Sequence, residues 1–179
     1  MKTDLYTATI IPMMRALEAL AVVLDKAAAH AAQKKTERHD FADALLSDRL
    51  IFDQFPLIRQ VQIACDNGKA AVARLSGTEP PSMPDTEKTF EELQARIQKT
   101  LDYMRSIRSE AIVGRDEEAV PTPNLKARYG IETLPGYEYA AYYILPNFYF
   151  HVTTAYDIIR KNGVAIGKVD FIGALSNKD

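Results

Sequence analysis

The stretch GYEYAAYYILPNFYFHVTTAYDIIRKNG, residues 136–163, is the most informative part of the sequence. Apolar and aromatic residues occupy more than one side of its helical projection, a pattern typical of the most enclosed helix of a bundle. Pro146 should bend this helix, because proline lacks a backbone donor and frees the carbonyl of Tyr142. We therefore predict a long buried helix from about Gly136 to Asn162, with the lone His151 either lining a pocket or locked into the core.

Three earlier segments also show helical spacing. The first is predicted from about Ile11 to Ala32, or from an earlier start with a bend at Pro12. The second is predicted from Pro56 to Leu75. The third follows a proline-rich loop, and its first turn is predicted to hold acidic residues that favour the positive end of the helix dipole: Glu87, Glu91 and Glu92.

These four segments predict an all-α fold, an up-down four-helix bundle. Between the third and fourth helices, residues 111–135 are rich in proline and glycine, with a weak alternation of apolar and polar residues from Leu125 to Tyr129. Such an alternation is typical of a short strand. We therefore expect an irregular insertion, with a short hairpin, before the last helix.

Composition restricts the classes of protein and of partner. A chain of 179 residues that is 47% hydrophobic can form one ordinary domain, so we expect residues 1–179 to be a single helical bundle domain. Its net charge of -2 gives no electrostatic signal for nucleic acid or for a membrane surface. The single cysteine, Cys65, excludes an internal disulfide and fits a cytoplasmic location. We also expect no membrane-spanning segment, because no run approaches twenty uninterrupted apolar residues.

A polar row runs through the aromatic last helix. Tyr143, Asn147 and His151 are each four residues apart and share one face. We expect this row to face a polar row on the second helix that has similar spacing. The hypothesis makes His151 and Asp66 catalytic, with Asp66 orienting the imidazole, and gives ligand binding to four residues: Gln62, Lys69, Tyr143 and Asn147. The alternative is a satisfied buried network that only fixes helix register.

The run HVTTAYDIIRKNGV, residues 151–164, resembles the last helix of the DinB-like (DinB/YfiT) four-helix-bundle superfamily. Together with FPLIRQVQIACDNGKAA at residues 55–71, ELQARI at 92–97 and LPNFYFHVTTAY at 145–156, the chain resembles a bacterial branch of that superfamily classed as a domain of unknown function. The resemblance to this branch covers nearly the whole chain. Its three blocks together are fairly specific.

The resemblance implies a divalent metal, nickel or zinc, held by one histidine on the second helix and an H-x-x-x-H pair on the last. Here that pair reads Asn147-Phe-Tyr-Phe-His151, and the second helix offers Gln62 and Asp66 but no histidine. Amides bind these metals far more weakly than imidazole does. We therefore predict a degenerate metal site and no metal ligands or cofactor, with a weak nickel or zinc site at His151 as the alternative.

Two kinds of function remain open from the sequence. One is a transferase-like or hydrolase-like enzyme with a polar cavity around His151. The other is a non-catalytic homodimer that binds a small molecule or a protein, with His151 in a structural network. A homodimer is expected for a helical bundle of this kind, but the sequence does not identify its interface.

Overall fold

The computed structural model describes residues 3–36 and 40–174. Four long helices form its body, and they correspond to the four predicted segments. Their bounds are Ile11–Lys34 (α1), Leu57–Leu75 (α3), Phe90–Ser106 (α4) and Leu145–Lys161 (α7). Shorter helices are Phe41–Ser47 (α2), Pro123–Tyr129 (α5), Gly136–Glu138 (α6) and Lys168–Ile172 (α8), and the two strands are Ala119–Pro121 (β1) and Thr133–Pro135 (β2).

Helix α4 begins later than its acidic residues suggested. Thr89 caps the helix: its hydroxyl accepts the Glu92 amide at 3.2 Å, and the Glu92 carboxylate accepts the Thr89 amide at 3.1 Å. This reciprocal capping box fixes the first turn after Thr89. Glu87 therefore precedes the helix, and the prediction that placed it in the first turn is wrong.

The prolines at the starts of α1 and α7 each follow a π-helical segment. Tyr6–Ile10 precedes Pro12, and Tyr139–Ile144 precedes Pro146. A proline ring clashes with the carbonyl four residues earlier, and a wider π turn relieves that clash and accommodates the missing donor. The first helical segment therefore starts before Pro12. The last one runs from α6 through α7 without a break at Pro146.

The four long helices form a bundle in which α3 packs against α4 and α7, and α1 packs against the same two helices from the other side. Helices α1 and α4 are antiparallel: Gln94, near the start of α4, bonds the Ala21 carbonyl at 2.7 Å, and Arg105, near its end, pairs with Glu18 at 2.6 Å. The predicted four-helix bundle is thus confirmed.

The order of helix directions differs from simple alternation. Helices α3 and α4 run parallel, because their contacts advance together, from Asp66 with Arg96 to Gly68 beside Thr100 and Met104. The loop before α4 contacts the earlier part of α3, through Asp85 with Arg59 and Glu87 with Gln62. The connection 76–89 is long enough to return along the whole of α3 before α4 begins. The directions are therefore up, down, down and up.

The insertion before the last helix contains the expected hairpin at a different place. Strands β1 and β2 pair antiparallel with Val120 opposite Leu134, whereas residues Pro123–Tyr129, where the alternation was seen, form helix α5 between them. The turn before β1 passes tightly against the start of α6. A Cβ on Gly136 would sit 2.3 Å from the Arg115 carbonyl oxygen, so only glycine fits there.

One helical stretch, Tyr6–Lys34, is long and apolar enough by length and composition to cross a membrane, and 50% of its most apolar window is buried inside the structure. This finding does not overturn the expectation of no membrane-spanning segment, because the core helix of a helical bundle passes the same test. The centre of a bundle requires the same apolar composition. The side chains that α1 buries there include Met13, Leu17, Leu20 and Leu24.

Candidate functional site

His151 lies at the interface of α7 and α3, where its partner is Gln60. The Nδ1 atom of His151 is 2.7 Å from the Gln60 Oε1 atom, and only 8% of the histidine is exposed. The Phe150 ring packs edge-on against the imidazole at 5.2 Å between centroids. The histidine is therefore almost enclosed, and it is held by hydrogen bonding on one side and by an aromatic ring on another.

The other end of Gln60 determines which tautomer His151 adopts. The Gln60 Nε2 atom donates to the Phe55 carbonyl at 3.0 Å, so the amide oxygen must face the histidine. An amide oxygen only accepts, and the proton of the neutral imidazole is therefore on Nδ1. Its Nε2 atom carries the free lone pair and has no hydrogen-bond partner among the described residues.

Burial holds His151 in this neutral form. Loss of water around the ring, together with the positive charge of Arg59, lowers the pKa of His151 to about 4. An imidazole with that pKa is neutral at physiological pH and is a weak base. It is suited to a fixed hydrogen bond more than to taking a proton from a substrate.

A second pair joins the same two helices two turns further along α3. The Asn147 side-chain amide donates to the Asn67 Oδ1 atom at 3.2 Å. The Asn67 Nδ2 atom is buried without a partner in the part of the chain that the structure describes. Gln60, Asn67, Asn147 and His151 thus form a polar stripe between α3 and α7, which we call the α3–α7 stripe.

Asp66 belongs to a different cluster. Its carboxylate contacts Arg96 of α4 at 2.8 Å and Lys69 at 2.9 Å. Gln62 donates to Glu87 at 2.9 Å, in the same cluster. The predicted contact of Asp66 with His151 is therefore not formed, because the row of Gln62, Asp66 and Lys69 faces α4 and the loop before it.

Buried Arg96 is the centre of this second cluster. Its guanidinium contacts three carboxylates, those of Asp66 at 2.8 Å, Asp85 at 2.9 Å and Glu87 at 3.0 Å. Burial alone would raise the pKa of Glu87, but its hydrogen bonds, including those from Arg96 and Gln62, lower it. Three cations, Arg59, Lys69 and Arg96, balance the three acids. The cluster fastens the loop before α4 onto α3.

Sequence reasoning missed Gln60 and Asn67. The two residues are seven apart, so they share a face of α3 just as the row at positions 62, 66 and 69 does. Both rows are polar, and periodicity alone gives no reason to choose between them. The row of Gln60 and Asn67 carries no charge, and this is the signal that favours it. A row that faces an aromatic, nearly enclosed helix is better formed by amide side chains than by Asp and Lys.

Tyr143 and Asn147 line a cleft outside this interface. The cleft has a volume of about 670 Å³ and lies between α5 and the start of the last helix. The residues that line it include Asn124, Arg128, Tyr129, Tyr142, Tyr143 and Asn147. Asn147 both lines the cleft and donates to Asn67, so the α3–α7 stripe reaches the cleft wall.

The residues of the stripe do not fit a nickel or zinc ion. They offer one imidazole and three neutral amides, which are poor ligands for these metals. Among residues 3–36 and 40–174, no group of three or more His, Cys, Asp and Glu side chains could hold a metal ion. The degenerate metal site stays a prediction, and it rests on the chemistry of this donor set.

Comparison with known proteins places the chain in a family. The sequence profile of the family described as Domain of unknown function (DUF1993) matches residues 5–172. The crystal structure of a DinB family member protein from Shewanella denitrificans is 41% identical, with a TM-score of 0.85, over 98% of this chain and 95% of that chain. No curated protein matches the chain. The chain therefore belongs to the DUF1993 family and has the four-helix-bundle fold of a DinB family member.

Proposed function

We propose that this protein is a non-catalytic bundle that binds a small planar molecule in the cleft between α5 and the last helix. The observation that carries this proposal is the position of Tyr143 and Asn147, which line that cleft together with the exposed rings of Tyr129 and Tyr142. A cavity of about 670 Å³ is within the range of small-molecule sites.

The cleft chemistry favours an aromatic ligand with a hydrogen-bonding group. Tyrosine rings offer faces and edges for stacking, and Tyr137 already packs edge-on against Tyr142 at 5.7 Å. Asn147 offers an amide whose orientation is held by its bond to Asn67. Arg128 lies over the Tyr129 ring at 5.5 Å, so one cationic group is also positioned at the cleft.

In this proposal, Gln60 and His151 support the cleft without contacting the ligand. Their bond pins α7 to α3 one helical turn away from Asn147. An enzyme that uses His151 as a base is supported less well, because the ring is almost enclosed and its pKa of about 4 makes it a weak base. A metal-dependent reaction is also supported less well, because the α3–α7 stripe offers a single imidazole.

Titration with benzamide, followed by backbone NMR shifts of the full chain, tests the proposal. Benzamide combines a ring with an amide that can pair with Asn147. We expect shift changes at Tyr142, Tyr143 and Asn147, and about 5-fold weaker binding in Tyr143→Ala. Tyr103→Ala is the matched control, since Tyr103 lies on α4 and does not line the cleft, and it should leave binding unchanged. Shifts elsewhere, or equal binding by Tyr143→Ala, would contradict the proposal.

We also propose a cytoplasmic location. Cys65 is a buried free thiol, and burial raises its pKa to about 12, which keeps it protonated and unreactive. A lone, protected thiol is consistent with a reducing compartment. Fractionation of cells expressing the tagged chain would show it in the soluble fraction, whereas recovery with membranes or in the medium would contradict this.

A further inference from the structure

An apolar surface lies next to the α3–α7 stripe, on the turn that joins α2 to α3. It consists of Leu50, Ile51, Phe52 and Phe55 together with Phe150 of α7, and we call it the Phe52 surface. Each of these side chains is substantially exposed, and Phe52 is 86% exposed. Several large apolar side chains exposed side by side are typical of an interaction site, whereas single exposed ones are ordinary.

The contacts of the α3–α7 stripe connect the two parts of this surface. The Phe55 carbonyl accepts Gln60 at 3.0 Å, Gln60 bonds His151 at 2.7 Å, and the His151 ring packs on Phe150 at 5.2 Å. The backbone of Phe55 and the ring of Phe150 are therefore linked through the Gln60–His151 pair.

The turn that carries the surface is rigidly held. Arg49 donates to the Gln54 carbonyl at 2.5 Å, and the Gln54 amide donates to the Ile51 carbonyl at 3.1 Å, which closes the turn on itself. Asp48, at its start, accepts Lys161 at 3.0 Å and Asn162 at 2.6 Å from the end of α7. A rigid turn loses little conformational freedom when it binds a partner, so its exposed side chains are preorganised for contact.

We propose that the Phe52 surface binds a second copy of this chain and forms a symmetric homodimer. A large aromatic side chain can bury about 150–250 Å². Because the five side chains are only partly exposed, together they present roughly 500 Å² of surface per protomer. That area would supply most of the roughly 800 Å² that each partner contributes to a standard stable interface. The adjacent polar groups would form the rim.

The charges beside the surface favour a second copy over a membrane. Asp53 lies within the turn, and Arg49 and Arg59 flank it, with Arg59 packed over the Phe55 ring at 6.0 Å. A two-fold axis that passes between Asp53 and Arg49 would bring the acid of each protomer near the base of the other, so a patch of mixed sign can pair with its own copy. An anionic membrane surface would instead require a cluster of basic groups.

Sedimentation equilibrium of the full chain tests the proposal, with Phe52→Asp as the disrupting variant. Val169→Asp is the matched control, because Val169 is 78% exposed and lies on α8, outside the Phe52 surface. We expect a dimer for the wild type and for Val169→Asp, and dimerisation at least about 30-fold weaker for Phe52→Asp, since the charge enters the interface twice.

Circular dichroism melting of the three proteins shows whether each variant is folded, so that a loss of the dimer is not confused with unfolding. Both substituted side chains point into solvent, so we expect all three proteins to fold. A monomeric wild type would overturn the proposal. So would a Phe52→Asp protein that still dimerises, or a loss of the dimer in Val169→Asp as well. Binding of benzamide is not expected to change in Phe52→Asp, so failure of the dimer is distinguishable from failure of the cleft.

Discussion

At the scale of single residues, the position of one amide determines the chemistry of His151. Gln60 is held by the Phe55 carbonyl and presents only an acceptor to the imidazole. The ring therefore stays neutral and keeps its proton on Nδ1. An aspartate in this place would stabilise the charged imidazolium and raise the pKa of the histidine. The observed amide partner therefore favours a hydrogen-bonded support over an acid-base catalyst.

The depressed pKa of His151 predicts a pH-dependent stability. The pKa rises from about 4 in the folded chain to the ordinary 6.5 on unfolding, so the unfolded state binds more protons between these values. The contribution is fully present above pH 6.5 and is lost as the pH falls towards 4, and it amounts to about 3 kcal/mol.

The measurement is urea unfolding of the wild type and of His151→Gln at several pH values from 7.5 to about 5. The wild type should lose more free energy of unfolding over this interval than the variant does, since the carboxylates titrate equally in both. Parallel pH profiles for the two proteins would show that His151 is not held neutral by burial.

Buried Arg96 gives a second prediction at this scale. Arg96→Met leaves Asp66, Asp85 and Glu87 close together without their shared cation, and it should lower the free energy of unfolding by about 3–5 kcal/mol. Arg105→Met is the matched control, because Arg105 is on the same helix and its pair with Glu18 is exposed. The control should cost less than about 1 kcal/mol in urea unfolding. Equal losses in the two variants would rule out a structural role for the Arg96 cluster.

At the scale of helices, the sequence predicted which segments are helical far better than which faces meet. The stripes on α1 and α4 are unambiguous, because each of these helices has one dominant apolar side. Helix α3 is different, since it buries polar residues on two sides: Gln60 and Asn67 towards α7, and Gln62 and Lys69 towards α4. Two residues of the predicted row, Asn147 and His151, contact α3, but their partners there are Asn67 and Gln60 and not the predicted row.

The local sequence also did not predict where in the insertion the hairpin lies. The alternation from Leu125 to Tyr129 suggested a strand, but Pro123 at a helix start and Gly130 in the left-handed conformation at its end favour a short helix. The strands themselves are three residues each, too short to show periodicity. Their pairing depends on the glycine at position 136, which allows the chain to pass the Arg115 carbonyl.

Because Gln60 of α3 faces His151 of α7, we predict that histidine substitutions at this interface restore a metal site. In Gln60→His/Asn147→His, three imidazoles would lie on the two facing helices, two of them four residues apart on α7. We expect this variant to bind zinc in equilibrium dialysis at least about 100-fold more tightly than the wild type does, since imidazole replaces amide donors. Gln62→His/Asn147→His is the matched control, because position 62 faces α4. Equal zinc binding by the two variants would contradict the assignment of the faces.

At the scale of the whole molecule, the helix directions explain why the polar clusters separate. The return of residues 76–89 along α3 makes α4 parallel to α3 and brings the acids before α4 onto the row at Gln62, Asp66 and Lys69. Helix α7 then occupies the opposite side of α3, where Gln60 and Asn67 lie. The sequence predicted the number of long helices but not their directions, because the length of a loop does not reveal its path.

The central claim of this account is that the α3–α7 stripe is a hydrogen-bonded support that holds no metal. The metal content of the purified wild-type chain, measured beside His151→Ala after growth with added nickel and zinc, tests it most directly. We expect both proteins to contain only traces of either metal. Stoichiometric nickel or zinc in the wild type that is lost in His151→Ala would contradict the claim and restore a metal-dependent reaction as the leading hypothesis.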